Sequence, residues 1–293
     1  MTTDPAITAV IVTHNSPPVL KSVIEALLAQ TLPPMMIVIV DSGSAVPERV
    51  RALIALDGRI SVTCYSNIGF AAGNNLAMRE HLGRSDYFAV INPDAVLAQD
   101  WLAGAIAFLG SPAGRGVGIV SSPLRGMDVK TEKPTAYWDT LGIYRHWSGR
   151  WFDRGAREKI DCHPAPELPY EPIAICGALM LFSTNVYRAV TGPHGFFDER
   201  FHTYKEDIEL SLRVCKAGYR LVMLPHLMSW HCRGWPKSRR HASYWSRKLS
   251  ARNEIRIAAR YAIPLIPIYV CKYVYVSIVE PLLDWLADAR AEK

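Results

Sequence analysis

The sequence has few cysteines and lacks the spacing of a disulfide-rich protein. Its six cysteines are scattered over 293 residues and form no C-x-x-C pair. Most have apolar neighbours, as small core residues do, so we expect a reducing compartment and no disulfide framework. There is no low-complexity segment and no internal repeat. The polar N-terminus leads directly into a strand-like run, so we also expect no secretory signal and a cytoplasmic location.

Two missing motifs argue against common α/β enzymes. The first strand-like run is followed by THNSPP, which has no glycine, and the glycine-rich NIGFAAGNN follows the third run without G-x-G-x-x-G spacing. This disfavours a dinucleotide-dependent dehydrogenase. G-x-S-x-G is absent, which argues against an α/β-hydrolase. A nucleotidyltransferase would normally carry a basic, glycine-rich loop after its first strand. None is present, but this class stays an alternative because it also uses strand-end acids with a metal ion.

Positive charge is concentrated late in the chain. The net charge is +6, from 33 Lys and Arg against 27 Asp and Glu. The basic residues of this late zone are Arg233, Lys237, Arg239, Arg240, Arg247, Lys248, Arg252, Arg256 and Arg260. The zone favours phosphate-bearing partners or an anionic membrane surface, and a solvated helix face explains it equally well. We expect no nucleic-acid partner.

Strand-like and helical patterns alternate through the first part of the chain. Buried β-branched runs occupy 7–13, 35–40, 60–65, 87–91 and 117–121. Helical patterns occupy 19–30, 47–56, 74–81 and 101–109. Alternation at this spacing predicts an α/β fold with a mostly parallel sheet.

Polar residues follow four of these strands, at the ends where ligands bind in such sheets. The four groups are Thr13-His14-Asn15, Asp41, Ser66-Asn67-Ile68-Gly69 and Asn92-Pro93-Asp94. Each group alone is a good turn sequence. Because all four share one edge of the predicted sheet, we interpret them together as a binding site.

The second half begins with a long irregular segment. Residues 123–172 are rich in Trp, Tyr, Gly and charge, and loops of this length tend to be lids or binding segments. Residues 173–182 return to a buried strand, and Gly177 inside it indicates close approach of a ligand or another backbone. Further on, the sequence predicts a short strand at 220–224, a loop at 229–236 and a long basic helix at 239–261.

A pair of acids begins the helix predicted within the stretch FFDERFHTYKEDIELSLR at 196–213. A helix N-terminus stabilises anions, so Glu206 and Asp207 could act as a general base or bind a metal ion. In the alternative interpretation, Thr203 and Glu206 form a capping box and the acids only start the helix. Glu209 and Arg213 are four residues apart and can pair on the surface of the helix.

The C-terminal residues 263–286 are apolar and aromatic, but Lys272, Glu280 and three prolines interrupt them. A membrane span needs about 20 apolar residues with few charges. We therefore predict an interfacial helix that binds a membrane surface. Docking of this helix on the domain is the alternative.

Taken together, these motifs resemble the family 2 glycosyltransferases of GT-A fold, most closely the bacterial rhamnosyltransferase-like members. The matching pieces, in the family's order, are VIVTHN at 10–15, VDSGS at 40–44, NIGFAAGNN at 67–75, NPD at 92–94, CGALMLF at 176–182 and FDERFHTYKEDIELSLR at 197–213. HCRGWPKS at 231–238 and ARN at 251–253 match loosely. The resemblance implies a Rossmann-like GT-A domain over 1–255, with a nucleotide-binding half (1–122) and an acceptor half (123–255), then an apolar helical segment over 256–293.

The resemblance also implies a role for each matching residue. The donor-binding residues would be Thr13, His14, Asn15 and Asp41 at the base and ribose, Asn67, Gly69, Gly73 and Asn74 in a loop under the nucleotide, and Asn92, Asp94 and Gly177. Asp94 would bind a divalent metal ion, Mg²⁺ or Mn²⁺, although the usual D-x-D is NPD here. His231 would add a metal contact, or is a satisfied histidine between Trp-containing turns. Asp207 would be the general base of an inverting transfer, and Glu206 would orient donor or acceptor hydroxyls.

The implied reaction moves a sugar, with rhamnose favoured, from a dTDP- or UDP-sugar to a hydroxyl of a glycan or lipid-linked glycan. Its place would be cell-surface polysaccharide synthesis at the cytoplasmic face of a membrane. Besides the nucleotidyltransferase, a degenerate nucleotide- or carbohydrate-binding module is an alternative. The reduced NPD triplet supports such a module, and the intact Glu206-Asp207 pair argues against it.

Overall fold

The computed structural model describes residues 4–15, 18–232 and 243–283. These residues fall into two compact units. Within the described ranges, the first unit comprises 4–144, 151–202 and 206–232, and the second comprises 145–150, 203–205 and 243–283. The domain boundary that we predict at residue 255 is not tested by this division and stays a prediction.

Thirteen strands and eight α-helices form within the described residues. The strands are β1 Ile7–Thr13, β2 Met36–Ser42, β3 Ile60–Tyr65, β4 Tyr87–Ile91, β5 Ala95–Leu97, β6 Val117–Ser121, β7 Leu124–Met127, β8 Pro134–Thr140, β9 Ile143–Arg145, β10 Trp151–Asp153, β11 Leu179–Ser183, β12 Arg220–Met223 and β13 Ser229–His231. The helices are α1 Leu20–Leu28, α2 Glu48–Arg51, α3 Gly69–His81, α4 Trp101–Gly110, α5 Thr184–Val190, α6 Glu206–Lys216, α7 Tyr244–Tyr261 and α8 Ile266–Val274. A π-helical turn, Tyr275–Val279, follows α8.

A seven-stranded sheet forms the centre of the first unit, in the order β12-β6-β11-β4-β1-β2-β3. β1 is parallel to β2 and β4, β2 to β3, and β6 to β12, whereas β11 is antiparallel to both of its neighbours. This confirms the predicted α/β fold with a mostly parallel sheet.

The two faces of this sheet carry separate apolar cores. Along β1, Ile11 joins the core that contains Trp101 of α4, and Val10 joins the core that contains Met78 of α3 and Leu210 of α6. Successive strand residues point to opposite faces, so a strand covered on both sides must be apolar throughout. This requirement explains the unbroken runs of Val and Ile by which the strands are recognised in the sequence.

A smaller sheet has the order β5-β13-β7-β8 and joins segments far apart in the chain. His231 of β13 pairs with Ala95 of β5 and with Gly126 of β7, and Leu124 of β7 pairs with Thr140 of β8. The expectations of an irregular segment at 123–172 and of a loop at 229–236 are therefore wrong in part. β7, β9 and β10 are short, and register shifts break the pairing of β7 with the longer β8, so no long alternating pattern reveals these strands.

In the second unit, α7 packs against α8 and the π-helical turn. The helical segment Ile263–Leu283 is, by length and composition, long and apolar enough to cross a membrane. Its Tyr269 and Val276 are buried. Part of the predicted basic zone and of the predicted helix at 239–261, and the end of the apolar segment, fall in 233–242 and 284–293, outside the described residues.

Candidate active site

Hydrogen bonds tie together the ends of β1 and β2, where the sequence predicts contacts to a nucleotide. His14 Nδ1 lies 2.8 Å from the carbonyl oxygen of Ser42, and the Asn15 N–H donates to Ser44 Oγ at 2.7 Å. The Ser44 N–H and hydroxyl both donate to Asp41 Oδ1. Parallel pairing places Thr13 beside Asp41, so the two motifs meet at one edge of the sheet.

Three buried polar atoms at this edge have no hydrogen-bond partner among the described residues. They are Thr13 Oγ1, Asp41 Oδ2 and Asn74 Oδ1, on side chains that are at most 1% exposed. Most buried polar atoms in native proteins are paired, and the exceptions require an explanation such as a ligand or an ordered water. These three atoms all belong to residues of the predicted donor site.

The NIGFAAGNN motif forms the start of a helix, which corrects the expected loop. Ser42 Oγ accepts hydrogen bonds from the N–H groups of Ile68 and Gly69, each at 3.0 Å, and α3 begins at Gly69. Of the four predicted loop residues, only Asn67 precedes the helix, and Gly69, Gly73 and Asn74 lie within it.

Two glycines of this helix are required by packing. Gly69 has φ +82°, and a Cβ there would lie 2.4 Å from His202 Nδ1. A Cβ on Gly73 would lie 3.0 Å from the Val12 methyl groups, so its missing side chain lets α3 approach the sheet closely. Gly73 therefore serves helix–sheet packing, and Gly69 makes room for His202.

The small sheet brings Asp94, His231 and Asp139 together. His231 Nε2 lies 3.1 Å from Asp94 Oδ1, and His231 Nδ1 lies 2.8 Å from Asp139 Oδ2. Asn92 Nδ2 lies 3.4 Å from His231 Nε2. His231 and Asp139 are buried. Asp139 was not predicted, because it lies on β8 within the segment expected to be irregular, and the Thr, Tyr and Trp content of PTAYWDT was its only sequence signal.

Two carboxylates set the charge state of His231. Burial alone would lower the pKa of this imidazole, but the charge of Asp139, the hydrogen bonds that the ring donates to both carboxylates and the charge of Asp94 together raise it to about 9. Burial also raises the pKa of the neighbouring Cys232 thiol to about 12, with Asp94 adding to the effect. Cys232 is therefore a neutral thiol near pH 7 and is unsuited to be a nucleophile.

The Asp94 and His231 donor atoms fit a divalent metal ion, provided that the ion displaces the proton that Nε2 carries near pH 7. A carboxylate and an imidazole are suitable ligands, and a metal-binding histidine usually has its other ring nitrogen bonded to a carboxylate, as Asp139 provides here. Among the described residues, no group of three or more His, Cys, Asp and Glu side chains is arranged to hold a metal ion. The remaining ligands of an ion at this position would therefore have to come from a bound molecule or water.

Asp207 and the NPD triplet contact adjacent residues of one short segment. The Gly177 N–H donates to Asp207 Oδ2 at 3.0 Å, and the Asn92 N–H donates to the carbonyl oxygen of Ala178 at 2.9 Å. Gly177 lies in a turn before β11 and not inside the predicted strand at 173–182. A Cβ on it would lie 3.3 Å from Asp207 Cβ, so a side chain, and not the expected ligand or backbone, lies close to this glycine. The Ile208 N–H donates to Asp207 Oδ1 at 2.8 Å and further fixes the carboxylate.

The turn before Asp207 has an unusual backbone. His202, Tyr204 and Lys205 have φ values of +61°, +67° and +73°. Residues in the first turn of a helix have negative φ, so Tyr204 and Lys205 are not helical and the capping box of Thr203 with Glu206 does not form. α6 instead begins at Glu206, whose side chain is buried. Non-glycine residues with positive φ cost free energy and tend to cluster at functional sites.

Arg213 has the structural role that its spacing indicates. Its guanidinium donates to Glu209 at 2.8 Å and to the carbonyl oxygens of Val190 and Phe196. Glu209 is buried, so this pair anchors α6 to the segment before it. Asp207 therefore lies on a helix that is fixed within the first unit.

Sequence profiles identify the family of the chain. The profile of Glycosyl transferase family 2 matches residues 8–159, just over half of the chain, and that of Glycosyl transferase family group 2 matches residues 87–279. The chain belongs to glycosyl transferase family 2. The first match covers the strand-end motifs through Asp94, and the second covers Asp94, Asp207 and His231. No curated protein matches the chain.

Solved structures share the GT-A fold of this family 2 chain. A structure of GalNAc-T7 with UDP, GalNAc and Mn²⁺ has a TM-score of 0.67 and 16% identity, over 88% of this chain and 48% of its own. Mannosyltransferase PcManGT from Pyrobaculum calidifontis, in complex with GDP-Man and Mn²⁺, has a TM-score of 0.58 and 19% identity, over 100% of this chain and 77% of its own. TarS from S. aureus has a TM-score of 0.53 and 13% identity, over 93% of this chain and 44% of its own. The chain thus spans less than half the length of the GalNAc-T7 and TarS chains.

The site of this family 2 member consists of two groups of predicted residues. The first group lies around the ends of β1, β2 and β3 and the start of α3. The second lies around Gly177 and the small sheet, and includes Asn92, Asp94, Asp207 and His231. The sequence missed Ser42, which bonds the start of α3, and Asp139, which bonds His231. The catalytic and binding roles of the individual residues stay predictions.

Proposed function

We propose that this family 2 glycosyltransferase moves a sugar from a nucleoside-diphosphate sugar to an acceptor hydroxyl, with inversion at the anomeric carbon. The observation that carries the proposal is the meeting of Asp207 and the NPD triplet at Gly177 and Ala178. A candidate base and a candidate diphosphate-binding acid must lie on the two sides of one sugar for this reaction. Contacts to adjacent residues of one segment bring the two motifs near each other, which supports that arrangement.

The donor nucleotide would bind at the ends of β1 and β2. Asp41 has one carboxylate oxygen held by Ser44 and the other without a partner among the described residues, which suits an acceptor for a ribose hydroxyl or a base N–H. The N-terminus of α3 begins beside this edge, where Ser42 holds its first N–H groups. The Ala71 N–H donates to the His202 carbonyl oxygen, so these N–H groups already have acceptors and only the helix dipole would favour a donor diphosphate between α3 and the NPD triplet.

A divalent ion, if bound, would neutralise charge on the leaving nucleoside diphosphate, and Asp94 and His231 would hold it. Asp139 orients the His231 ring by its 2.8 Å contact with Nδ1, which directs Nε2 toward Asp94. Asn92 lies beside both groups and can donate to a phosphate oxygen. The Mn²⁺ named in the GalNAc-T7 and PcManGT structures supports a metal requirement here.

Asp207 would take the proton of the acceptor hydroxyl. That oxygen forms the new bond to the anomeric carbon, the bond from this carbon to the diphosphate oxygen breaks, and the nucleoside diphosphate leaves with the electron pair. The two backbone N–H groups that donate to Asp207 fix its carboxylate before substrate binds. This lowers the entropic cost of placing the carboxylate against the acceptor hydroxyl. Glu206 would orient donor or acceptor hydroxyls.

The finer assignments are a dTDP- or UDP-sugar donor, with rhamnose favoured, and a glycan or lipid-linked glycan acceptor in cell-surface polysaccharide synthesis. The resemblance of NIGFAAGNN, NPD and YKED to rhamnosyltransferase-like members supports this choice. The UDP and GDP-Man of the neighbouring structures support a nucleotide-linked donor in general. We infer that residues 123–172, which contribute Asp139 and four strands, contain specificity contacts. The expected cytoplasmic location stays a prediction.

The test compares Asp207→Asn with wild type for sugar transfer and for slow hydrolysis of dTDP-rhamnose, UDP-glucose and UDP-N-acetylglucosamine. We expect Asp207→Asn to reduce turnover by at least about 10²-fold, since loss of a general base has effects of this size, while donor binding remains. Asp100→Asn is the matched control, because Asp100 is also at a helix start but is exposed and makes no cap hydrogen bond. It should keep wild-type turnover.

Three outcomes would contradict the proposal. Turnover unchanged in Asp207→Asn would remove its assignment as the base. Donor binding without turnover with any acceptor would favour a binding module. Formation of a nucleoside-diphosphate sugar from a nucleoside triphosphate and a sugar phosphate would favour a nucleotidyltransferase.

A further inference from the structure

The charged residues that interrupt the C-terminal apolar segment face α7 within the second unit. Lys272 and Glu280 are the only charged residues in Ile263–Leu283. Lys272 Nζ bonds to Glu254, which is 0% exposed, and Glu280 lies 3.3 Å from Arg247. Both partners belong to α7, so the two charges are paired against that helix.

The residues that face α7 and those that face solvent form two separate stripes of one helix. Tyr269, Lys272, Val276 and Glu280 recur at three- and four-residue spacing, and none of the four is fully exposed. Ile268, Cys271, Tyr275, Ile278 and Leu282 recur at the same spacing and are all exposed. Residues three and four apart lie on one face of a helix, so the exposed face contains no charged side chain.

A tryptophan of the second unit adds to this surface. The turn of 145–150 carries Trp147, which is 87% exposed and is flanked by the exposed Arg145 and Arg150. The turn is attached to α8, because Tyr269 Oη donates to the carbonyl oxygen of Gly149. Trp and Tyr beside Arg are the residues that favour the level of lipid headgroups at a membrane.

We propose that the exposed stripe of Ile263–Leu283 and Trp147 bind in plane to the surface of an anionic lipid bilayer. Charge complementarity selects this occupant: the sequence from 233 to 260 has nine Lys and Arg and a single acid, Glu254. Basic residues beside an apolar helix face are attracted to anionic headgroups while the apolar face enters the acyl boundary. An in-plane position keeps the ion pairs of Lys272 and Glu280 intact, whereas a membrane crossing would carry them and α7 into hydrocarbon or break them.

This inference does not depend on the proposed function, since its test measures no sugar transfer. The full chain is sedimented with vesicles of phosphatidylcholine alone and of phosphatidylcholine with phosphatidylglycerol. We expect binding to the anionic vesicles, weaker binding to the neutral ones, and loss of binding at high salt. Ile278→Glu and Trp147→Ala should each weaken binding to the anionic vesicles. For Ile278→Glu we expect the vesicle affinity to fall by about tenfold or more, because one large apolar side chain is removed from the interface.

Leu168→Glu is the matched control, because Leu168 is 76% exposed but belongs to the first unit. It should bind vesicles as wild type does. The proposal is overturned if wild type does not bind anionic vesicles or if Ile278→Glu binds as well as Leu168→Glu. It is also overturned if the reconstituted protein resists extraction by alkaline carbonate, which indicates a span. Dimerisation without lipid, abolished by Ile278→Glu and accompanied by no vesicle binding, would assign the face to a second copy of the chain.

Discussion

The pairing of His231 with two carboxylates makes folding stability depend on pH in a way that Asp139→Asn should abolish. Asn has nearly the shape of Asp and keeps an acceptor oxygen for His231 Nδ1, so the substitution removes charge with little change in packing. Without that charge, the ring loses the largest influence that raises its pKa while burial still lowers it, so the pKa of His231 falls. The variant therefore isolates the electrostatic contribution of Asp139.

The sign and size of the effect follow from the pKa of His231. A value raised from 6.5 to about 9 means that the native protein holds a proton that the unfolded chain has lost between these pH values. This stabilisation is complete below pH 6.5 and is lost as the pH rises through about 9. Its size below pH 6.5 is on the order of 3 kcal/mol, because a tenfold change in a proton equilibrium is worth about 1.4 kcal/mol.

The assay is urea denaturation in the presence of EDTA, at pH values below 6.5 and above 9. We expect Asp139→Asn to be less stable than wild type by about 3 kcal/mol at the lower pH and by much less at the higher pH. Asp57→Asn is the control, because Asp57 pairs with Arg59 away from this site. Its substitution should leave the pH dependence of the free energy of unfolding as it is in wild type. A variant that retains the wild-type slope, or a wild type that gains stability from pH 6.5 to 9, would refute the reasoning.

Two further predictions concern packing and a buried ion pair. Gly69→Ala should destabilise the protein by about 2 kcal/mol or more, since φ is +82° and the new Cβ would meet His202 at 2.4 Å. Gly58→Ala, with nothing within 4 Å of its Cβ, should change stability by less than about 0.5 kcal/mol in the same thermal melts. Glu254→Ala should cost about 3 kcal/mol, because this fully buried carboxylate pairs with Lys205 and Lys272. Glu254→Gln should cost less in urea denaturation, and equal stability of both variants with wild type would contradict the pairing.

The sequence predicts the large sheet well because its strands have a strong local signal. β1 and β4 have the predicted bounds, since both strands are buried along nearly their whole length and are therefore almost entirely apolar. Parallel order then places Thr13 and Asp41 side by side, so this half of the candidate site follows from the strand pattern alone.

The second half of the site depends on pairings that no local pattern encodes. His231 is held between β5 and β7, which lie more than a hundred residues earlier, and Asp139 reaches it from a strand interrupted by register shifts. The start of α3 was placed too late because glycines lower helix propensity, whereas at Gly69 and Gly73 the neighbouring His202 and Val12 require the absence of a side chain. In both cases tertiary packing overrides the local preference.

The most direct test of the account is calorimetric binding of dTDP, UDP and GDP, each with and without Mn²⁺, to wild type and to Asp94→Ala. Asp94 and His231 are the only protein groups that we assign to the ion, so the bound diphosphate must supply further ligands and the two should bind together. We expect one diphosphate to bind tightly with Mn²⁺, weakly without it, and weakly to Asp94→Ala under both conditions. Equal binding with and without Mn²⁺, unchanged in the variant, would contradict the metal site, and no binding of any of the three would contradict the donor site itself.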